Sequence, residues 1–419
     1  MRGNAYIIGS FSTPFKKWPE KSYRDLTREA YLGVIKDAGL DGGDEIEFAY
    51  FGNCRMTMIG QRGIRGQVCF IPLVNEGLFP ARVPIINVEG ACATSSMALY
   101  SAWVNILSGQ ADIVLAMGVE KLYFPDMDKA MLLKEFRGGM DNITPEKTIE
   151  VYEQAGQVIG KPFETGEDRT LFMDTYAMQA KYHMWKYGTT QRQIATGAAK
   201  NHNFGAQNPK AQYRFEMTVD QVMEDRLISY PLTRSMCAPI GDGAAAAIVC
   251  SGDLLKNYPS VVQNRAVRIK ACAMSGGKFR EFEEPSLSKV AADKAYRIAG
   301  VGPADIDLAE VHDATSFCEI YQVEMMGFCP IGLGGPFVES GATMLDGKIP
   351  VNTSGGLVSK GHPVGATGLS MIYELVTQLR GEAGPRQVPN AKLALQENGG
   401  GVIGFEEAAC SVVILEKDQ

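Results

Sequence analysis

The chain has 419 residues, 45% hydrophobic and 21% charged, with 41 Lys and Arg against 48 Asp and Glu for a net charge of −7. That balance excludes a disordered chain, leaves room for two or three domains with buried sheets, and argues against nucleic acid or an anionic membrane as the main partner. Nine cysteines, an odd number without a CxxC pair, argue against a disulfide framework and against a structural zinc cluster. The N-terminal apolar run is too short for a signal-peptide core, and no stretch approaches the roughly 20 apolar residues of a membrane span. A cytoplasmic, reducing location is expected.

In chain order, AYIIGS reads as a short buried strand, and SYRDLTREAYLGVIKDAGL as a helix ended by Gly39. FAYFGN is a second strand. VPIINVEG is a strand and turn, ATSSMALYSAWVNILSG a helix closed by Gly109, and ADIVLAMGVE another buried strand. Strands alternating with helices predict parallel sheets covered on both faces. From about 123 to 235 the texture changes to scattered Met, aromatic and charged residues with helical patches, DTYAMQAKYHMWKYG and QRQIATGAAKNH. This segment is read as an inserted helical and loop region.

Strand character returns at GAAAAIVCSG and VRIKACAMSG. A helix near SKVAADKAYRIAG, the strand LAEVHD, a helix from SFCEIYQVEMMG, a long glycine-rich turn, the helix TGLSMIYELVTQLRG and the strands LALQENGGG and CSVVIL follow. The two ends read as two similar halves: 1–122, completed by about 236–270, and 271–419, with 123–235 inserted.

Three residues carry the chemistry. Cys92 lies where a strand-turn passes into a helix that starts with Ala93, Thr94, Ser95 and Ser96; unpaired backbone N–H groups and the helix dipole there favour thiolate. The alternative is a buried structural cysteine. His362 stands after SGGLVSKG, before Pro363 and near Gly365 and Gly368, where a histidine fills no core and a functional role or a helix cap remain. His312 ends the strand LAEVHD at the carboxyl edge of a sheet, the usual place for an α/β site.

CATSS with downstream GVE, then EVHD, then VNTSGGLVSKGHPVGATG, then a GGG turn, in that order, resembles the thiolase superfamily. The likeness is nearest to the sterol-carrier-protein-X-type and archaeal thiolases, whose motifs read HDCF and SGGLxSKGHPxGATG; it extends to YIIGSFSTPF and GDGAAAAIV. The resemblance implies a five-layered αβαβα fold, a homodimer or dimer of dimers, and acyl-CoA and CoA as substrates, with no bound cofactor and no metal. It assigns Cys92 as the acyl-accepting nucleophile, His362 as its base, and His312 with His362 as the pair that polarises the enolate oxygen. The N–H groups of Cys92 and of the glycine turn, at Gly399 beside Gly400, would form a second oxyanion hole. Ser354, followed by Gly355, matches a serine along the pantetheine arm.

Two departures stand out. Most thiolases carry a second cysteine that shuttles a proton, in CxGGG or in HDCF, and here these read ENGGG and HDAT. Glu397 occupies the first position and serves as acid/base if burial raises its pKa; otherwise it is an exposed or salt-bridged acid on a loop. Cys318 lies one helical turn beyond Ala314 and is either a thiol on the same face or helix core. Cys410 is read as core.

The implied activity is CoA-dependent thiolytic cleavage of a 3-oxoacyl-CoA. Within the family the chain resembles large subunits of two-component thiolases that cleave 2-benzoylsuccinyl-CoA to benzoyl-CoA and succinyl-CoA. The alternatives are a ketoacyl-synthase-like condensing enzyme, which needs no second cysteine, and a thiolase-like scaffold or aldolase subunit working with a small zinc-ribbon and OB-fold partner.

Overall fold

A computed structural model describes residues 3–417. The chain runs β1 (Ala5–Ser12), α1 (Tyr23–Ala38), β2 (Phe48–Gly52), α2 (Arg65–Asn75), β3 (Ile85–Val88), α3 (Thr94–Ser108) and β4 (Ile113–Glu120). A largely helical stretch follows, with α4 (Pro145–Ile159), α5 (Leu171–Tyr187) and α6 (Gln191–Ala206). Then come β5 (Gly243–Ser251), β6 (Val267–Gly276), α7 (Leu287–Ala299), β7 (Leu308–Glu310), α8 (Ser316–Met325), α9 (Thr367–Leu379), β8 (Leu393–Gly400) and β9 (Ala409–Glu416).

The strands hydrogen-bond in the order β3-β2-β4-β5-β1-β6-β9-β8-β7. The β1–β6 junction is only two residue pairs long, Tyr6 with Arg268 and Ile7 with Val267, so two sheets meet there at a short seam. Packing resolves the layers. Helices α1 and α2 cover one face of the first sheet through Leu26, Tyr31, Val34 and Phe70. Its other face shares a core with α3, α9 and the inner face of the second sheet: Leu99 and Ile106 meet Leu369, Ile372, Val249 and Val413. Helices α7 and α8 cover the far face of the second sheet through Ala291, Ala295 and Val323. The result is a five-layered αβαβα stack, as the resemblance implied.

Every residue of β4 and of β5 is buried, which explains their unbroken apolar runs: strands covered on both faces need no alternation. Leu99, Ile106, Leu369 and Ile372 are all inaccessible, and each such side chain contributes about 1.5–3 kcal/mol of transfer free energy.

Three expectations need correction. The sheets are mixed, not parallel: only β2–β3, β2–β4 and β7–β8 pair in parallel, while the other ladders are antiparallel. Residues 401–408, which join β8 to β9, are too few for a parallel crossover of about a dozen residues or more. The ENGGG segment is strand through Gly400, not a turn. The long glycine-rich turn contains a short helix, Gly356–Lys360.

Candidate active site

Cys92 lies in a single tight turn, Ala91–Ala93, between β3 and α3. Ala91 is held at φ 50, a left-handed conformation rare for a residue with a Cβ. Glu89 accepts from the Ala91 N–H at 2.8 Å, and Thr94 Oγ1 accepts from the Gly90 N–H at 2.9 Å. The glycines of β8 press against this turn from the second sheet. A Cβ on Gly400 would stand 2.4 Å from Ala93 N and 2.8 Å from Cys92 N, and both atoms are backbone. Gly400→Ala is therefore expected to push the turn off its position, lowering Tm and slowing alkylation of Cys92 by iodoacetamide more than about tenfold; a thermal melt and a timed labelling experiment check both.

The thiol is 8% exposed and packs among Cys54, Leu122, Val364 and the partly buried Phe136. Burial pushes Cys92 up to about 12, against the pull of the Arg55 charge and the Gly401 N–H; Glu407 and Glu89 push further up. Burial thus opposes the thiolate that the helix start favours. The resting group is a thiol and needs a base.

His362 supplies one. Its Nε2 is 3.2 Å from Cys92 Sγ and its Nδ1 is 2.7 Å from Thr367 Oγ1. Thr367 donates its hydroxyl proton to the Pro363 carbonyl at 3.1 Å, so the oxygen is left to accept from Nδ1–H. The network thereby assigns the proton to Nδ1 and turns the Nε2 lone pair to the thiol. Burial, then the neighbouring His312 and Lys360, hold His362 well below its ordinary value, so the ring is neutral. Thr367→Val should lower kcat about tenfold to a hundredfold with KM little changed, since it strands a buried N–H worth about 1–3 kcal/mol; Thr367→Ser should restore the rate.

His312 lies two residues beyond β7, fully buried, and among the described residues neither of its ring nitrogens has a hydrogen-bond partner. Burial lowers it to about 4. The two imidazoles are 5.3 Å apart at 67°, and ligating atoms of Cys92, His312 and His362 all lie within 4.8 Å of one another. Unmatched buried nitrogens are expensive, and a site that leaves two of them open is built to meet a ligand oxygen. The trio is also a donor set for a soft divalent ion. The backbone beneath is pinned: Glu397 Oε2 accepts from the His312 N–H at 3.0 Å, while Asp313 accepts from the Leu357 N–H at 2.6 Å and from Asn201 Nδ2 at 2.8 Å.

The other expected residues fall differently. Glu397 is a fully buried strand residue, neither on a loop nor in an ion pair. Its second oxygen meets Cys410 Sγ at 3.3 Å, and burial with the nearby Glu407 charge raises it to about 8. Cys410 is fully buried in the core between the second sheet and its outer helices, as expected. Cys318 is buried with Sγ 3.4 Å from Thr315 Oγ1, and burial pushes its thiol up. Ser354 is inaccessible, its Oγ donating to Glu310 Oε2 at 2.6 Å, so its only proton is engaged. Gly355 serves packing: a Cβ there would meet the Gly205 backbone at 2.7 Å. The Gly401 N–H is directed at the sulfur, and the Glu407 side chain lies against the buried Gly399. The sequence reading missed Thr367, Gly401, Arg55 and Glu407. Thr367, in the GATG end of a motif already singled out, was within its reach.

Among the described residues no helix is long and apolar enough to cross a membrane. The family model described as "Thiolase, N-terminal domain" matches residues 5–253, and "Thiolase C-terminal domain-like" matches 278–417. The chain is 38% identical over 404 residues to an acetyl-CoA acetyltransferase of Methanothermobacter thermautotrophicus, covering 95% of this chain and 96% of that one. It is 38% identical to human sterol carrier protein 2 over 429 residues, covering 97% of this chain and 73% of that one. Among solved structures, an Ltp2-ChsH2(DUF35) aldolase superposes with TM-score 0.78 at 21% identity, covering 100% of this chain and 99% of that one. The Acat5 thiolase of Ascaris suum in complex with coenzyme A does so with TM-score 0.67 at 18% identity, covering 99% and 100%.

Proposed function

The chain is an acyltransferase that belongs to the thiolase family, and from that premise we propose that it cleaves a 3-oxoacyl-CoA with CoA through an acyl-enzyme on Cys92. The observation that carries this reading is the 3.2 Å contact between a neutral His362 Nε2 and a protonated Cys92 thiol. His362 removes the proton as sulfur attacks the β-carbonyl. The N–H groups of Cys92 and Gly401 receive the oxyanion of the tetrahedral intermediate. Collapse breaks the Cα–Cβ bond, leaving the acyl group on sulfur and an enolate whose oxygen meets a ring nitrogen of His312 and the Nε2–H that His362 has taken from the thiol. CoA thiol then takes the acyl group, and Cys92 recovers its proton from His362.

The preferred substrate in this reading is 2-benzoylsuccinyl-CoA, giving benzoyl-CoA and succinyl-CoA. Aromatic side chains of the 123–235 region support it: Phe136 packs against the Cys92 cluster, and Tyr176 lies within electrostatic reach of the thiol. That region then shapes the acyl pocket between two thiolase halves. The open edge of β3, with Ile86 exposed, supports a homodimer, and nine free thiols support a cytoplasmic setting. The likeness to the Ltp2-ChsH2(DUF35) aldolase favours a second reading, an aldolase subunit with a small partner. An assay of thioester products separates the two. CoA-dependent formation of benzoyl-CoA from 2-benzoylsuccinyl-CoA supports thiolysis, whereas cleavage of a β-hydroxyacyl-CoA that persists in Cys92→Ser supports the aldolase.

A further inference from the structure

The thiolase reading leaves a proton without a carrier. The enolate released by carbon–carbon cleavage needs one, the CoA thiol must lose one, and neither of the family's second cysteines stands at its position. Glu397 is poorly placed for the task, because its two oxygens face the His312 N–H and the Cys410 thiol behind the ring.

The segment 401–408 carries a second acid. Glu407 is 8% exposed, and its side chain lies across the face of Gly399, where a Cβ would meet its Cγ at 2.9 Å and its Oε1 at 3.1 Å. The adjoining acid, Glu406, is consumed by Arg280 at 3.1 Å and by the N–H groups of Lys278 and Leu287. Glu407 has no such partner: only its own backbone N–H donates to it among the described residues. The glycine run links this acid to the nucleophile: Gly399 lies under the Glu407 side chain and the next residue, Gly400, against the backbone nitrogen of Cys92, and the Glu407 charge is felt at Cys92, Cys318, Tyr152 and Tyr176.

We propose that Glu407 is the catalytic acid/base that replaces the second cysteine, giving its proton to the α-carbon of the departing enolate and then taking the proton of the incoming CoA thiol. The balance closes. Cys92 lends its proton to His362 and recovers it on deacylation; Glu407 enters protonated, is ionised by the first half-reaction and is reprotonated by the second. Burial, with Glu406 adding to it and Arg280 opposing, raises Glu407 to about 7, near the pH at which one group both gives and takes a proton efficiently.

This inference rests on the acyl-enzyme reading, so its test separates the two. Wild-type protein, Glu407→Gln, Glu407→Asp and Glu397→Gln are each exposed to benzoyl-CoA or acetyl-CoA and weighed intact. The same proteins are incubated with acetyl-CoA and with succinyl-CoA in deuterium oxide, and deuterium at the α-carbon is measured. Glu407→Gln is expected to acylate more slowly but to the wild-type extent on long exposure, while losing about 10²–10⁴-fold in exchange, Glu407→Asp to fall between, and Glu397→Gln to lose less exchange than Glu407→Gln. Exchange by Glu407→Gln within threefold of wild type overturns the assignment, as does a loss confined to Glu397→Gln. Should Glu407→Gln fail to fold, Glu407→Asp decides: full acylation with slowed exchange supports the role, and unchanged exchange sinks it. A wild-type protein that never acylates removes the acyl-enzyme reading and this one with it.

Discussion

Cys92→Ala is expected to abolish thiolysis, with kcat/KM falling on the order of 10⁴-fold or more while the fold persists. The side chain is small, its neighbours Ala93, Ser95 and Ser96 are small, and the hole left by one sulfur lies in the small cluster with Cys54, Leu122 and Val364 rather than in the shared core of α3 and α9. Melting temperature should therefore move little. Cys92→Ser is the sharper variant. It keeps the shape and the His362 contact but offers a hydroxyl, whose higher pKa and harder oxygen make it a poor nucleophile towards a ketone beside the same base. A stopped assay for CoA-dependent product formation checks both variants, and turnover within tenfold of wild type in either contradicts a covalent route.

The second large effect is expected at His362. A thiol held at about 12 is ionised to roughly one part in 10⁵ at pH 7, since each unit is tenfold. The imidazole at 3.2 Å overcomes that deficit by accepting the proton as sulfur attacks. His362→Gln should lower the rate of Cys92 acylation about 10²–10⁴-fold at pH 7. Its pH profile should change shape as well. Burial holds His362 well below 6.5, so the base is already neutral across pH 6.5–9 and the wild-type rate is flat there. In the variant, only spontaneous ionisation supplies thiolate, and the rate should climb about tenfold per pH unit over the same range, because the thiol loses its proton as pH approaches its pKa. A profile parallel to wild type would remove His362 from the role of base.

Much of this was readable from the residues. The apolar runs of β4 and β5, the helix that Gly39 closes and the helix that Gly109 closes depend on local spacing, and the structure has them where the spacing put them. Cys92 stood out at a helix start, His312 at a strand end and His362 among glycines with no core to fill, and the fold does bring them together. Strand direction was not readable, because it depends on whether a connection is a crossover or a short link, and an apolar run such as GAAAAIVCS has no polarity of its own. The state of the thiol was only partly legible for a related reason: a helix start is visible in sequence, whereas the desolvation that opposes it comes from Leu122, Val364 and Phe136, distant in the chain. Ser354 shows the same limit, since its motif position gave no sign of Glu310 waiting beneath it. Glu407 stands in VIGFEEA, where no periodicity separates it from Glu406; only the packing of one on Arg280 and the other on Gly399 tells them apart.

The central claim is that Cys92 carries the acyl group, and intact-protein mass spectrometry after brief exposure to benzoyl-CoA and acetyl-CoA, with Cys92→Ser as control, tests it most directly. The account predicts one added acyl mass with at least one donor, located on the peptide containing Cys92 and absent from the control. No adduct from either donor, with any co-purifying partner retained, or an adduct that survives in Cys92→Ser, would contradict it.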